Sequence, residues 1–123
     1  MFIYSFEKLD VWQKSRKLVT NIYQLLTKFP KSEQFGLCDQ LRRAVISIPS
    51  NIAEGSGRAS VKEQLHFLGI AYGSLMEVYC QLLVSLDLNY IDNEDFTNTK
   101  KMIDNIAMMM NKLRSYKLSR LND

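Results

Sequence analysis

The sequence predicts one all-α domain over residues 1–123, an antiparallel up-down four-helix bundle. Three observations point there. Apolar residues recur at gaps of three and four in four long stretches, the period of a helix that buries one face. No segment alternates for long with the period of two that a half-buried strand requires, and no internal repeat stands out. Only two prolines and five glycines punctuate 123 residues, which suits long helices joined by short connections.

Residues 1–9 form an apolar arm. Phe2, Ile3, Tyr4, Phe6 and Leu9 are too apolar to stay in water, so the arm is expected to dock on its own bundle or on a neighbour. Helix one is predicted over residues 10–29, with Asp10 as N-cap. Trp12, Val19, Ile22, Leu26 and Phe29 share one face, with Val11, Leu18 and Leu25 beside it. Lys14, Arg16, Lys17 and Lys28 make its wet side, and Phe29-Pro30 ends it.

Helix two is predicted over residues 33–56, capped by Ser32, with Glu33 in a first turn where negative charge suits the helix dipole. Leu41, Val45, Ile48 and Ile52 give its apolar stripe. Gln40, Arg43, Ser47, Asn51, Glu54 and Arg58 form a second stripe at the same period. Short hydrogen-bonding side chains have few rotamers to lose, so this stripe suits a face held against another polar surface. An ordinary solvated face would read the same way. Pro49 removes a backbone donor and its ring opposes the Val45 carbonyl, so a kink is expected there, with Ser47 or Ser50 serving the freed groups. Gly55 or Gly57 is expected to end the helix at positive φ.

Helix three is predicted over residues 61–89, about 40 Å at ~1.5 Å per residue. Ser60-Val61-Lys62-Glu63 reads as a capping box. Leu65, Leu68, Tyr72, Leu75, Tyr79, Leu82 and Leu86 make a heptad seam. Gly69 and Gly73 put small residues on a flank where another helix can approach closely. Phe67, Ile70 and Val78 lie off the seam, and spare apolar surface of this kind usually means a partner. Helix four is predicted over residues 93–118, capped by Asp92, with Phe96, Ile103, Ile106, Met110 and Leu113 as its stripe and Met102, Met109 and Tyr116 beside it.

The stretch Ser47-Ile48-Pro49-Ser50-Asn51-Ile52-Ala53-Glu54-Gly55, with Phe29-Pro30, Phe35-Gly36-Leu37, Arg42-Arg43-Ala44, Arg58, Phe67-Leu68, Gly73-Ser74 and Glu77, resembles the bacterial four-helix-bundle proteins encoded in intervening sequences of 23S ribosomal RNA genes. The resemblance runs from Phe6-Glu7-Lys8-Leu9-Asp10-Val11-Trp12 to Leu88-Asn89-Tyr90. It implies an up-down bundle and a ring-shaped homo-oligomer, a pentamer by preference, without an established activity. It marks Gln40, Arg43, Ser47, Asn51, Glu54, Arg58 and Glu77 as the polar stripe or interface. A looser likeness to the accessory proteins of diversity-generating retroelements implies a basic pentamer working beside nucleic acid.

Composition sets limits on function. Sixteen basic against thirteen acidic residues give a net charge of +3, which permits nucleic-acid contact without demanding it. Repeated fivefold in a ring, that is about +15, enough to attract phosphate backbones without reading sequence. Lys112, Arg114, Lys117 and Arg120 cluster at the end of helix four and are the candidate contacts to RNA or DNA, although cations at a helix C-terminus also favour its dipole. The competing class is a structural or adaptor ring that binds a protein partner and no nucleic acid.

No enzyme is expected, and no cofactor. The one histidine, His66, sits in Glu63-Gln64-Leu65-His66, a single Glu-x-x-His where di-iron bundles need two. Cys38 and Cys80 lack metal spacing and read as reduced core residues. No uninterrupted run of about 18 apolar residues suggests a membrane span, and Met1-Phe2-Ile3-Tyr4 lacks the marks of a signal peptide, so the chain reads as cytoplasmic. Counting fifteen residues either way from Arg58 sets Arg43 near Gly73 and Glu77. An ion pair between Arg43 and Glu77, within one subunit or between two, is the expected result.

Overall fold

Residues 1–121 are described by a computed structural model. They form four helices, α1 (Asp10–Leu26), α2 (Leu37–Ser56), α3 (Val61–Asp87) and α4 (Asn93–Ser119), with 3-10 turns at Ser5–Lys8 and Lys31–Glu33 and no strand among the described residues. Each helix packs on the next, and α1 closes on α4. The bundle is therefore a square in which α1 lies diagonal to α3 and α2 to α4. Paired side chains show the antiparallel sense: Gln40 meets Gln81 and Ser47 meets Ser74 across α2 and α3, while Asn21 meets Thr99 and Lys28 meets Asp95 across α1 and α4.

The apolar stripes meet at the centre of this square. Leu18 and Ile22, Leu41, Val45 and Ile48, Leu75, Val78 and Leu82, and Ile103, Ile106 and Met110 are all buried to within 2%. The heptad seam of α3 alternates buried leucines with half-buried Leu65, Tyr72, Tyr79 and Leu86. On α1 the core face is turned slightly from the expected one, because Leu18 is wholly enclosed and Val19 and Trp12 are only partly covered. Val78, expected to be spare surface, is core.

Helix ends differ from expectation for local reasons. Helix α1 stops at Leu26, and Thr27, Lys28 and Phe29 donate to carbonyls three residues back, a tightening turn ahead of Pro30. Asp10 is the first residue of α1 rather than its cap, which is Leu9. Helix α2 begins four residues later than expected, at Leu37, with Gly36 as its cap and Ser32 inside a 3-10 turn. The Glu33 carboxylate still serves this helix end, accepting from the Leu37 amide at 3.3 Å and from the Tyr90 hydroxyl at 2.8 Å.

Ser60 and Asp92 cap as expected, accepting from the amides of Glu63 and Asp95 at 3.1 and 2.7 Å. The reciprocal half of the Ser60 box is missing, because the Glu63 carboxylate lies towards Arg58, 3.9 Å away. Helix α2 runs unbroken through Pro49, so the expected kink finds no support in its helical pattern. No glycine adopts positive φ. Gly57 ends α2 in right-handed geometry and Gly55 is buried inside it. Among the described residues the one positive φ is Asn89, at 63°, where the Tyr90 amide bonds back to the Ser85 carbonyl and closes the end of α3.

Candidate functional site

The polar stripe of α2 divides in two. Its inner members face α3: Ser74 donates to the Ser47 hydroxyl at 2.9 Å, and the Asn51 amide donates to the same hydroxyl at 2.9 Å and to the Ser47 carbonyl at 2.8 Å. Gln81, buried on α3, donates to Gln40 at 3.3 Å and to the Glu77 carboxylate at 3.1 Å. Its own side-chain oxygen, Oε1, finds no donor among the described residues. Of the outer members, Arg43 and Glu54 are exposed and Arg58 is half-buried. Arg58 pairs with Glu54 at 2.6 Å, and its guanidinium lies 4.7 Å over the Phe67 ring.

Arg43 and Glu77 do not pair within the subunit. Arg43 reaches Asp39 at 3.4 Å with its side chain 82% exposed, while Glu77 is held by Gln81. Counting from Arg58 misplaced the turn. The Gln40–Gln81 and Ser47–Ser74 contacts set a register that brings Val78, not Gly73, level with Arg43.

Two surfaces of the bundle are unlike each other. On α3, Ile70, Met76, Leu83 and Val84 are exposed along one face that also carries Glu77, Cys80, Gly69 and Gly73. A Cβ added at either glycine would meet nothing within 4 Å, so this flank is open. Among the described residues α3 alone has the length and composition to cross a membrane, with 33% of its most apolar 18-residue window buried. The absence of an unbroken apolar run hid this, because Glu77 and Gln81 interrupt it. Cys80, expected in the core, is exposed here. Cys38 is buried, and burial pushes its thiol pKa up. Across the bundle edge, Tyr23 of α1 and Ile46 of α2, each 43% exposed, flank Arg43, Arg42 and Asp39 in a shallow depression.

The opposite surface, α1 with α4, is basic. Helix α1 carries Lys14, Arg16 and Lys17 against Asp10, and α4 carries Lys100, Lys101, Lys112, Arg114 and Lys117 against Glu94, Asp95 and Asp104. Helices α2 and α3 hold Arg42, Arg43 and Lys62 against Asp39, Glu54, Glu63, Glu77 and Asp87. Lys14, Lys17 and Lys101 line one groove of about 260 Å³ with Met102 and Asn105. None of the three lysines makes an ion pair among the described residues, since Asp104 is held by Lys100 at 2.9 Å and Asp95 by Lys28 at 2.6 Å.

The four expected nucleic-acid contacts do not make one patch. Lys112, Arg114 and Arg120 are exposed on different sides of α4, and Arg120 lies over the Tyr116 ring. Lys117 is half-buried, turned inward to Gln64 at 2.8 Å. Sequence reasoning passed over the Lys14–Lys17–Lys101 groove, although two unpaired lysines three apart on one wet face were a signal for it. His66 is exposed, and no three of His, Cys, Asp and Glu come together among the described residues. The arm does dock in part. Phe6 meets Trp12 edge-on at 5.0 Å, while Phe2, Ile3 and Tyr4 stand exposed.

A family model described as 23S rRNA-intervening sequence protein matches residues 7–112. A crystal structure of a protein of unknown function from the S23 ribosomal protein family of Bacteroides thetaiotaomicron superposes with a TM-score of 0.76 at 22% identity, covering 85% of this chain and 97% of that one. No curated protein shows significant similarity to the chain.

Proposed function

The chain belongs to the family of 23S rRNA-intervening sequence proteins, and from that premise we propose a non-enzymatic homo-oligomer, a pentameric ring by preference, that holds nucleic acid by its phosphate backbone along the α1–α4 side. The observation that carries this reading is the groove of Lys14, Lys17 and Lys101, three cations with no carboxylate partner among the described residues. Unpaired lysines in a groove neutralise phosphates and release counterions, which gives affinity without sequence preference.

The ring reading rests on two unlike surfaces. A ring closes through heterologous contacts, in which one patch of each subunit meets a different patch of the next. The α3 face of Ile70, Met76, Leu83 and Val84 is one such patch, and the depression of Tyr23, Arg43 and Ile46 suits the other. In this arrangement Arg43 of one subunit pairs with Glu77 of its neighbour, each residue being exposed in the single chain. Glu77→Ala and Arg43→Ala are then expected to weaken assembly by tenfold or more each, with the double variant costing less than their product. Multiplicative effects in sedimentation would remove that pair from the interface.

The test of function is a gel shift with labelled single-stranded RNA and DNA at about 50 mM salt. Binding is expected with both, falling steeply as salt rises. Changing Lys14, Lys17 and Lys101 together to Ala should weaken it at least tenfold and flatten its salt dependence. No shift with either nucleic acid would favour the adaptor ring, for which the exposed Phe2-Ile3-Tyr4 arm would be a natural handle.

A further inference from the structure

Where α2 ends, a partly open cavity of about 150 Å³ lies between the N-terminal turn, α2, α3 and α4. Its walls are apolar at Ile52, Leu68 and Leu113, and polar at Asn51, Gln64 and Lys117. Thus the most distinctive stretch of the sequence, Asn51 to Ser56, contributes a wall to a hollow that the rest of the reading leaves unused.

Lys117 is the unusual member. Its ammonium donates to the Gln64 side-chain oxygen at 2.8 Å, and Gln64 is itself fixed by donating to the Arg58 carbonyl at 2.7 Å. The half-buried cation thus has a neutral amide as its partner. No ion pair forms at Lys117 among the described residues, and no acidic side chain lines the cavity. Burial pushes its pKa below the ordinary lysine value, so the site does not compensate the charge it holds. A cation at the edge of an apolar hollow recruits an anion with an apolar body, which supplies the countercharge and fills the space together.

We propose that this cavity is a binding site for a small organic anion, with the anionic group on Lys117 and Gln64 and a body about the size of a benzene ring against Ile52, Leu68 and Leu113. An apolar cavity of roughly this volume is known to accept benzene. The site is independent of the lysine groove and of nucleic-acid binding.

Benzoate and its neutral analogue benzyl alcohol are suitable probes for the full-length protein, followed by methyl NMR at Ile52, Leu68 and Leu113. Benzoate is expected to give saturable shifts in the low millimolar range, with benzyl alcohol at least tenfold weaker. Lys117→Met keeps the aliphatic stem and should abolish the preference, while Lys117→Arg should retain it. Unchanged melting temperatures for both variants keep the comparison one of charge. No saturable shift up to about 50 mM benzoate, equal binding of the two probes, or a preference that survives Lys117→Met would each overturn the site. Shifts that appear only after deletion of residues 1–4 would also overturn it, by showing the cavity occupied by the arm.

Discussion

Ile70→Glu combined with Val84→Glu is expected to abolish the proposed ring and give a monomer while leaving the helices intact. Both side chains are exposed, 39% and 43%, on the open face of α3, so neither change disturbs the core of a subunit. A carboxylate at each position would have to enter an apolar contact without a partner, at about several kcal/mol per charge, more than a contact of this kind can absorb. Light scattering checks the mass and far-UV circular dichroism the helices. An unchanged mass would place the subunit contact elsewhere.

Leu75→Ala should have the reverse signature, a weakened subunit. Leu75 is wholly buried, at the middle of the α3 seam and close to the centre of the square. Removing it loses the transfer free energy of its methyl groups and leaves a hollow between packed helices that relax only in part. The expected loss is about 3 kcal/mol, within the range of about 2–5 for buried leucines. Met108→Ala on the exposed side of α4, 51% accessible, should stay within about 0.5 kcal/mol. Urea midpoints at fixed protein concentration separate the two, because dissociation makes apparent stability depend on concentration. Similar losses for both would mean that the packing of α3 is looser than its burial indicates.

The fold was legible because burial follows helical period. Leu41, Val45 and Ile48, and the seam from Leu65 to Leu86, are where their spacing puts them. Helix ends were less so. Ser32 looks like a cap, yet the 3-10 turn after Pro30 delays α2 until Gly36, and the Glu33 side chain takes over the capping from a distance. Gly55 looked like a helix terminator. It is buried inside α2, where a Cβ would sit 3.0 Å from that of Phe67 and 3.4 Å from the Gln64 carbonyl, so close approach of α3 is what calls for glycine.

Candidate sites were legible in type and not in place. The polar stripe of α2 was visible, but its division between Ser74 and Gln81 on one side and solvent on the other depends on helix register. That register sets Glu77 almost level with Arg43, and the two stay apart because Arg43 turns outward to Asp39 while Glu77 is held by Gln81. The lysine groove joins positions about eighty-five residues apart, and the Lys117 cavity joins the N-terminal turn to α2, α3 and α4. The spacing of Lys14 and Lys17 hints at the first, but only the fold brings Lys101 to them, and the second has no local pattern to reveal it.

The mass of the unmodified protein in solution is the decisive quantity. At micromolar concentration, light scattering should give a multiple of the 14.3 kDa chain, about 72 kDa for five copies. A single species at 14.3 kDa would leave the apolar face of α3 uncovered by its own kind and would contradict the ring.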